Sequence, residues 1–257
     1  MPEDDEVLVE HHDAVLLLTF NRPESLNAWT PSMQRRYFEL LDKAEHDPAV
    51  RAVVVTGSGR GFCAGTDLSA LSGAPEVDDD VPPVSQPIRM RKPVIAAING
   101  PVAGIGLIAA LFADVRFAAA EAKFTTAFSR RGLVAEHGIS WILPKLVGAG
   151  TALDLMLSAR TFLGDEAHRI GLADRVMPAA EVLPAALEYA RTLATECSPA
   201  SLAEIKQQIY AGLDSGLETA TADAHSRMIA AFDRPDVREG VRSFREGRPP
   251  DFPPLSG

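Results

Sequence analysis

Short apolar runs alternate with polar, helix-periodic segments through the first half of the chain. Residues 14–20 (AVLLLTF), 51–57 (RAVVVTG) and 92–98 (KPVIAAI) are rich in aliphatic residues and bounded by turn residues, which is typical of buried strands. A further strand is predicted over 114–124 (DVRFAAAEAKF). Between the first two strands, Thr30 is a predicted helix N-cap, Pro31 takes the first helical position and Pro48 ends the helix. This order of elements predicts an α/β fold with a parallel sheet.

The pattern changes after about Trp141, where apolar residues recur at helical spacing. Helices are predicted over 151–160, 181–196, 198–214 and 217–233, and the only strand-like run is 172–177 (LADRVM). We therefore expect a helical C-terminal third, whose amphipathic faces pack on a partner subunit. The acidic, proline-rich segment 72–87 is predicted to be a mobile surface loop.

Composition and charge exclude several functional classes. The 257 residues are 46% hydrophobic, enough for one large domain or for one domain with an appendage. The formal net charge of -10 argues against a nucleic-acid partner. Two cysteines give no disulfide framework, the N-terminus has no apolar secretion signal, and every apolar run is too short for a membrane span. We expect a cytoplasmic protein without nucleic-acid or membrane partners.

Several familiar site motifs fail on spacing. Gly104-x-Gly106-x-x-Ala109 fits a dinucleotide fingerprint, but five residues separate it from the preceding strand. The loop 57–67 lacks the Lys-Ser/Thr end of a phosphate-binding loop, and no G-x-S-x-G elbow occurs. The six histidines show no metal-ligand spacing, and Cys63 is expected to be a small buried hydrophobic residue.

Two glycine-rich turns remain, 62–68 (FCAGTDL) and 102–108 (VAGIGLI), and each follows a predicted buried strand. The carboxyl ends of parallel strands share one edge of a sheet, where ligands bind. Two turns there can aim two backbone N–H groups at one point, which is the arrangement of an oxyanion hole. The alternative is a pair of tight turns that serve only packing, and the spacing alone leaves both open.

Four segments, taken in order, resemble one known family. Residues 21–28, 52–68, 92–119 and 171–176 resemble the crotonase family of enoyl-CoA hydratases and isomerases, and 238–252 match more weakly. The resemblance implies a spiral of repeated ββα units over 1–195 and a helical oligomerisation region over 196–257. It also implies a homotrimer or a hexamer built as a dimer of trimers. The implied substrate is an acyl-CoA thioester, with coenzyme A as part of the substrate and no permanently bound cofactor.

The resemblance also assigns residues. The oxyanion hole would use the N–H groups of Thr66 and Ile105, although the family usually has glycine at the second position. The segments that line its CoA site supply Arg22, Ser25, Ala64, Asp67, Leu68 and Gly104. The arginines predicted to meet CoA phosphates are Arg22, Arg60 and Arg248, and each is equally well interpreted as an ordinary surface arginine.

The catalytic positions depart from the hydratases. Ile108 and Phe128 occupy the places of the two hydratase glutamates, so both carboxylates that would hold a water are missing. These side chains predict an apolar wall of the substrate pocket. Glu136 falls where isomerase members carry their catalytic acid, and His137 beside it is a candidate to orient it. Otherwise Glu136 is a surface residue at a helix start and His137 is simply exposed.

The sequence therefore leaves three hypotheses. The first is an enoyl-CoA isomerase in which Glu136 moves a proton between C2 and C4. The second is a hydratase with non-standard acid–base groups, or a thioesterase or lyase that uses Glu136. The third is an acyl-CoA-binding protein that has lost the chemistry.

Overall fold

A six-stranded sheet forms the centre of the protein. The computed structural model describes residues 6–67 and 82–255. The strands are β1 (Val7–His12), β2 (Val15–Phe20), β3 (Ala52–Gly57), β4 (Val94–Ile98), β6 (Val115–Ala119) and β9 (Arg175–Met177), hydrogen-bonded in that order. Only β1 is antiparallel to its neighbour. The predicted parallel sheet is therefore confirmed, and β1 is an additional strand.

A second, three-stranded sheet corrects the prediction over 114–124. It consists of β5 (Val102–Ala103), β7 (Lys123–Thr125) and β8 (Phe162–Leu163). The single strand predicted over 114–124 is two strands in different sheets, because the chain turns where Ala122 N donates to Ala119 O at 3.0 Å. This turn lets one continuous apolar segment serve both sheets.

The predicted helices form, with three short additions. Thr30 Oγ1 accepts from Met33 N at 3.0 Å and caps the helix that begins at Pro31, as predicted. The unpredicted helices are Ile139–Val147, Gly164–Arg169 and Pro235–Glu246. The helices are α1 (Pro31–His46), α2 (Gly104–Leu111), α3 (Ile139–Val147), α4 (Ala149–Ser158), α5 (Gly164–Arg169), α6 (Ala179–Glu196), α7 (Pro199–Gly212), α8 (Leu217–Phe232) and α9 (Pro235–Glu246).

An aromatic cluster fixes the end of β2 against α1 and the loop after β3. The Phe20 ring centroid lies 5.3 Å from that of Trp29, 5.3 Å from that of Tyr37 and 5.5 Å from that of Phe62, all edge-on. Each of these rings is almost fully buried. Edge-to-face pairs of this kind add about 0.5–1.5 kcal/mol beyond area burial. The cluster therefore packs Trp29 and Phe62, the first residue of the loop 62–67, against the same ring.

The C-terminal helices expose many apolar side chains. Helix α8 buries none of its residues. The exposed apolar side chains on α7–α9 and their connections are Ile205, Ile209, Leu213, Leu217, Met228, Ile229, Phe232, Val241 and Phe244. Such faces commonly mark subunit contacts. The division at 195/196 and the oligomeric state stay predictions.

The loop predicted over 72–87 is only partly described. Residues 72–81 lie outside the described residues, as does Leu68. Its C-terminal end is packed rather than free, because Val84 is buried and Gln86–Arg89 form a short 3-10 helix. None of the helices in the described part of the chain is long and apolar enough to cross a lipid bilayer.

Candidate active site

Two loops run side by side at the carboxyl edge of the main sheet. Strands β3 and β4 are parallel neighbours, so the chain leaves both at the same edge. Beyond them Phe62 N donates to Pro101 O at 3.0 Å, and Ala103 N donates to Cys63 O at 3.0 Å. These bonds pair the loop 62–67 with β5 in parallel. The prediction that both glycine-rich turns share one edge is thereby confirmed.

The two turns meet at Gly65 and Gly104. A Cβ added to Gly65 would lie 3.3 Å from Ala103 O, and one added to Gly104 would lie 3.7 Å from Gly65 Cα. Both glycines have positive φ, +103° and +50°. A side chain here would be strained in conformation and would enter the gap between the loops. Glycine therefore lets the two backbones touch.

Hydrogen bonds to Trp29 set the direction of the Thr66 N–H. Trp29 N donates to Gly65 O at 2.7 Å, and Asp67 N donates to Trp29 O at 3.0 Å. In a trans peptide the Gly65 C=O and the Thr66 N–H point in opposite directions. Because the carbonyl points at Trp29, the Thr66 N–H points away from it. This N–H has no acceptor among the residues that the structure describes.

The Ile105 N–H belongs to the first turn of α2. The first N–H groups of a helix have no partner within the helix, and the N-cap Ala103 has no side chain that could accept. The Ile105 N–H donates to no acceptor in the described part of the chain. The positive end of the helix dipole also lies here and favours a negative charge. Both predicted donors thus follow directly on the two touching glycines and are open.

The positions that replace the hydratase glutamates are apolar and buried. Ile108 lies one turn beyond Ile105, on the same face of α2, and is fully buried. Phe128 is 4% exposed. Cys63 is also buried, and burial raises the pKa of its thiol to about 12, as suits a packing residue. None of these side chains can activate a water molecule.

Glu136 lies in a conformationally constrained turn just before α3. The next two residues, His137 and Gly138, both have positive φ, +49° and +81°. A Cβ on Gly138 would lie 3.4 Å from the ring of Phe112, the C-cap residue of α2. The turn therefore lies against the C-terminal end of α2. Left-handed backbone at a non-glycine residue stores strain of the kind found at functional sites.

The Glu136 side chain is half-buried, and its carboxylate has no partner among the described residues. Its carboxylate forms no hydrogen bond or ion pair with any residue that the structure describes. The protein atoms around the His137 ring lower the pKa of His137, and the Glu136 carboxylate acts in the opposite direction.

The segments predicted to line the CoA site converge beside Thr66. Ala64 N donates to Leu26 O at 2.9 Å, and Ser25 Oγ donates to Arg22 O at 3.1 Å. The Arg22 guanidinium forms an ion pair with Asp67, 2.9 Å from Nη2 to Oδ2. The structure therefore brings Arg22, Ser25, Ala64 and Asp67 together, and their role at a CoA site stays a prediction.

The other two predicted phosphate-binding arginines differ from each other. Arg248 Nη1 lies 2.6 Å from Glu239 Oε1, and its Nε lies 2.7 Å from Glu246 Oε2. Arg60 is exposed on the loop after β3 and forms no ion pair with the described residues. Arg60 is thus better placed than Arg248 to meet an anionic ligand.

Sequence reasoning missed two asparagines that brace these loops. Asn27 is fully buried, and its Nδ2 donates to Ser58 O at 3.0 Å and to Gly61 O at 2.8 Å. Asn99 Nδ2 donates to Gly57 O at 2.8 Å. Asn99 directly follows the apolar run 94–98, and Asn27 ends the polar segment 21–27, which is a signal for a turn but not for a specific partner.

Comparisons with known proteins agree with this geometry. The family model described as "Enoyl-CoA hydratase/isomerase" matches residues 10–254. A 1,2-epoxyphenylacetyl-CoA isomerase of Escherichia coli (strain K12) is 35% identical over 258 residues, covering 96% of this chain and 98% of that protein.

Solved structures are similar over most of the chain. A probable enoyl-CoA hydratase/isomerase from Mycobacterium abscessus superposes with a TM-score of 0.91 at 33% identity, covering 97% of this chain and 99% of the other. The enoyl-CoA hydratase EchA12_1 from Mycobacterium marinum is 49% identical, with a TM-score of 0.71 and coverages of 84% and 99%. The expected crotonase-like α/β fold is therefore confirmed.

Proposed function

This chain belongs to the enoyl-CoA hydratase/isomerase family, and we propose that it stabilises the enolate of an acyl-CoA thioester between the N–H groups of Thr66 and Ile105. One observation carries the proposal: two open backbone donors follow directly on the touching residues Gly65 and Gly104. A thioester oxygen that enters this gap becomes more negative as the C2 proton leaves. Each donor of this kind contributes roughly 3 kcal/mol to stabilisation of the transition state.

The reaction that we propose is a shift of the double bond of a 3-enoyl-CoA to the 2-position. Glu136 removes a proton from C2, the C2–H electrons form a dienolate held by the two N–H groups, and Glu136 returns the proton to C4. The double bond then lies between C2 and C3. A positioned general base of this kind contributes on the order of 10²- to 10⁴-fold.

Two features support isomerisation over hydration. Ile108 and Phe128 are buried and apolar where a hydratase would hold its water, so this part of the site excludes water. Glu136 is half-buried and has no ion-pair partner among the described residues. A relative with a similar sequence is also named as an isomerase of a CoA thioester.

Hydration is the second candidate, and the names of the relatives favour it. The Mycobacterium marinum protein, 49% identical, is named an enoyl-CoA hydratase. A hydratase reaction here would draw its acid–base groups from residues other than those at positions 108 and 128. A thioesterase, a lyase or a binding protein without turnover would use the same pocket.

We further propose that CoA enters only as part of the substrate and that no cofactor is permanently bound. Ser25, Ala64, Asp67 and Gly104 would line its site, with Arg60 meeting its phosphates. The exposed apolar faces of α7 and α8 would be covered in a homotrimer or in a dimer of trimers. We also propose that the protein acts in the cytoplasm.

NMR in D₂O tests the reaction directly. The protein is incubated with a 3-enoyl-CoA and, separately, with a 2-enoyl-CoA, and the products are followed by proton and deuterium spectra. Isomerisation predicts a moved double bond with deuterium at C2 or C4. A 3-hydroxyacyl product would establish hydration instead, and binding of both substrates without any change would leave a binding protein.

A further inference from the structure

The Arg22 guanidinium contacts three separate segments of the protein. Its Nη1 donates to Ala28 O at 2.6 Å, its Nη2 lies 2.9 Å from Asp67 Oδ2, and its Nε lies 3.5 Å from Glu6 Oε1. The side chains of Arg22 and Asp67 are 18% and 20% exposed, so water screens their ion pair only partly. All three nitrogens are thus used within the protein.

The backbone of Arg22 is fixed as well. Arg22 N donates to Asn27 Oδ1 at 2.8 Å, and Arg22 O accepts from Asn27 N at 2.8 Å. Asn27 is itself fully buried and bonded to the loop after β3. The Arg22 backbone is therefore held in place, and its guanidinium is fixed by contacts rather than mobile at the surface.

The residues that Arg22 contacts flank the two hydrogen bonds to Trp29 that set the direction of the Thr66 N–H. Ala28 directly precedes Trp29, and Asp67 directly follows Thr66. Trp29 and Thr66 are paired as neighbouring extended residues, with the Gly65 carbonyl bonded to Trp29 N. Arg22 thus bridges the two chains across this pairing, from the Ala28 carbonyl to the Asp67 carboxylate.

We infer that Arg22 is a positioning residue, which acts through Asp67 and Ala28 to keep the Thr66 N–H aimed at the substrate oxygen. The inference rests on the proposed oxyanion hole. The predicted role of Arg22 at the CoA phosphates is untested, and the present contacts favour positioning because a phosphate would compete for nitrogens already bonded. Arginine suits this place because its planar group presents three separate nitrogens to acceptors on three segments, whereas lysine offers a single nitrogen.

The variants Arg22→Lys and Asp67→Asn test this inference. A similar ion pair elsewhere gives the control: Arg91 Nε lies 2.6 Å from Glu45 Oε1, with side chains 28% and 15% exposed. The control variants are Arg91→Lys and Glu45→Gln. They perturb a half-buried ion pair between Glu45, near the C-terminal end of α1, and Arg91, and neither residue belongs to the loop 62–67.

Two readouts separate positioning from general stability. The first is the infrared carbonyl band of bound hexanoyl-CoA, labelled with carbon-13 at the thioester carbonyl, which moves to lower frequency when the oxygen accepts hydrogen bonds. The second is the split between kcat and KM for deuterium exchange at C2. In Arg22→Lys and Asp67→Asn we expect the band to return toward its aqueous frequency and kcat to fall by about 10- to 100-fold. In Arg22→Lys, KM should change by less than about threefold, since the CoA contacts proposed for Ser25, Ala64 and Arg60 persist.

The outcomes are distinct. If the Arg22→Lys protein keeps the wild-type band and loses affinity for free CoA, Arg22 is a phosphate ligand and the inference is wrong. If the Arg91→Lys and Glu45→Gln controls lose the band shift equally, the effect is general stability and the inference is also wrong. If the wild-type protein itself leaves the band unshifted, the proposed oxyanion hole fails, and this inference fails with it.

Discussion

The backbones of Gly65 and Gly104 lie so close that a Cβ added to Gly104 would be 3.7 Å from Gly65 Cα, although the residues are 39 positions apart in the sequence. The contact forms because the loop after β3 pairs with β5, and because both residues adopt positive φ. Each is followed by an N–H without an internal acceptor in the described chain, on Thr66 and on Ile105. The contact therefore fixes the separation of the two donors, and the proposed chemistry depends on it.

Substitution of either glycine by alanine should damage this site. In Gly65→Ala the added Cβ would lie 3.3 Å from Ala103 O at a φ of +103°, so the loops must separate. We expect loss of about 1–3 kcal/mol in unfolding free energy and a fall of about 10²-fold in C2 exchange. Gly104→Ala should cost less stability, because its Cβ would meet only an ordinary contact at 3.7 Å.

Gly150→Ala is the control for this pair. Gly150 lies in α4, and a Cβ there meets no atom within 4 Å. Alanine should stabilise the helix by up to about 1 kcal/mol and leave exchange unchanged. Urea unfolding and the NMR exchange rate measure both effects. Wild-type exchange in Gly65→Ala would show that the contact is dispensable.

Glu136→Gln should keep the fold and acyl-CoA binding but remove turnover. The amide is nearly isosteric but cannot accept the C2 proton, so kcat should fall by at least about 10²-fold with a dissociation constant close to wild type. The surface variant Glu181→Gln is the control. Unchanged turnover in Glu136→Gln would remove this residue from the mechanism.

Arg60→Ala should weaken binding of CoA without altering the chemical step. Arg60 is exposed and has no ion pair in the described chain, so a ligand phosphate would be its partner. We expect the dissociation constant of CoA to rise about 3- to 10-fold, with the difference shrinking at high salt. Isothermal titration calorimetry measures it, with Arg169→Ala as the control. Equal affinities for wild type and Arg60→Ala would place the phosphates elsewhere.

A buried ion pair joins the C-terminal helices to the sheet core. Asp114 Oδ2 accepts from Lys206 Nζ at 2.7 Å and from Val94 N at 2.7 Å, and Asp114 Oδ1 accepts from Tyr210 OH at 3.0 Å. Burial raises the pKa of Asp114, while Lys206 opposes that shift. Lys206 is 7% exposed and Asp114 is half-buried.

Lys206→Met should destabilise the protein by about 3–5 kcal/mol, because it leaves the Asp114 carboxylate without its cation. The double variant Asp114→Asn, Lys206→Met should recover part of this loss, since no charge is then buried. Chemical denaturation of the wild type, both single variants and the double variant gives the coupling energy. Strictly additive effects would show that the two side chains do not interact.

Glu239 contributes a part of the folding stability that is lost at acidic pH. Hydrogen bonds from Arg248 and from the Asp251 N–H lower the pKa of Glu239 from 4.5 to about 2. A depressed pKa in the folded state stabilises the fold above pH 4.5, and this contribution is lost as the pH falls toward 2. In Glu239→Gln the deficit relative to wild type should therefore be largest at neutral pH and shrink through this window. Urea titrations at several pH values measure it, and a deficit that does not change with pH would contradict the assignment.

The sequence predicts the interior of the fold better than its edges. Strands β2, β3 and β4 are continuous apolar runs and are found where predicted. Strand β1 was not predicted, because its residues after Val7 are mostly exposed and it is held by pairing with β2. Helix α3 contains Pro144, a residue that argues locally against a helix.

The site was predictable only in part, because many of its contacts join segments that are distant in the sequence. The glycines and the residues that follow them are visible as motifs. The pairing of Trp29 with Thr66 and the three contacts of Arg22 join segments that are distant in sequence. Residue type and spacing indicate an arginine near the site, but they cannot show which partners fix its nitrogens.

The most direct test of the central claim follows the backbone amides of Thr66 and Ile105 by NMR during titration with hexanoyl-CoA. We expect these two amide protons to shift downfield, since both donate to one thioester oxygen, and Glu136→Gln to retain both shifts. If CoA-dependent shifts occur elsewhere while both amides stay at their unliganded positions, the thioester oxygen does not lie between them, and the proposed oxyanion hole is wrong.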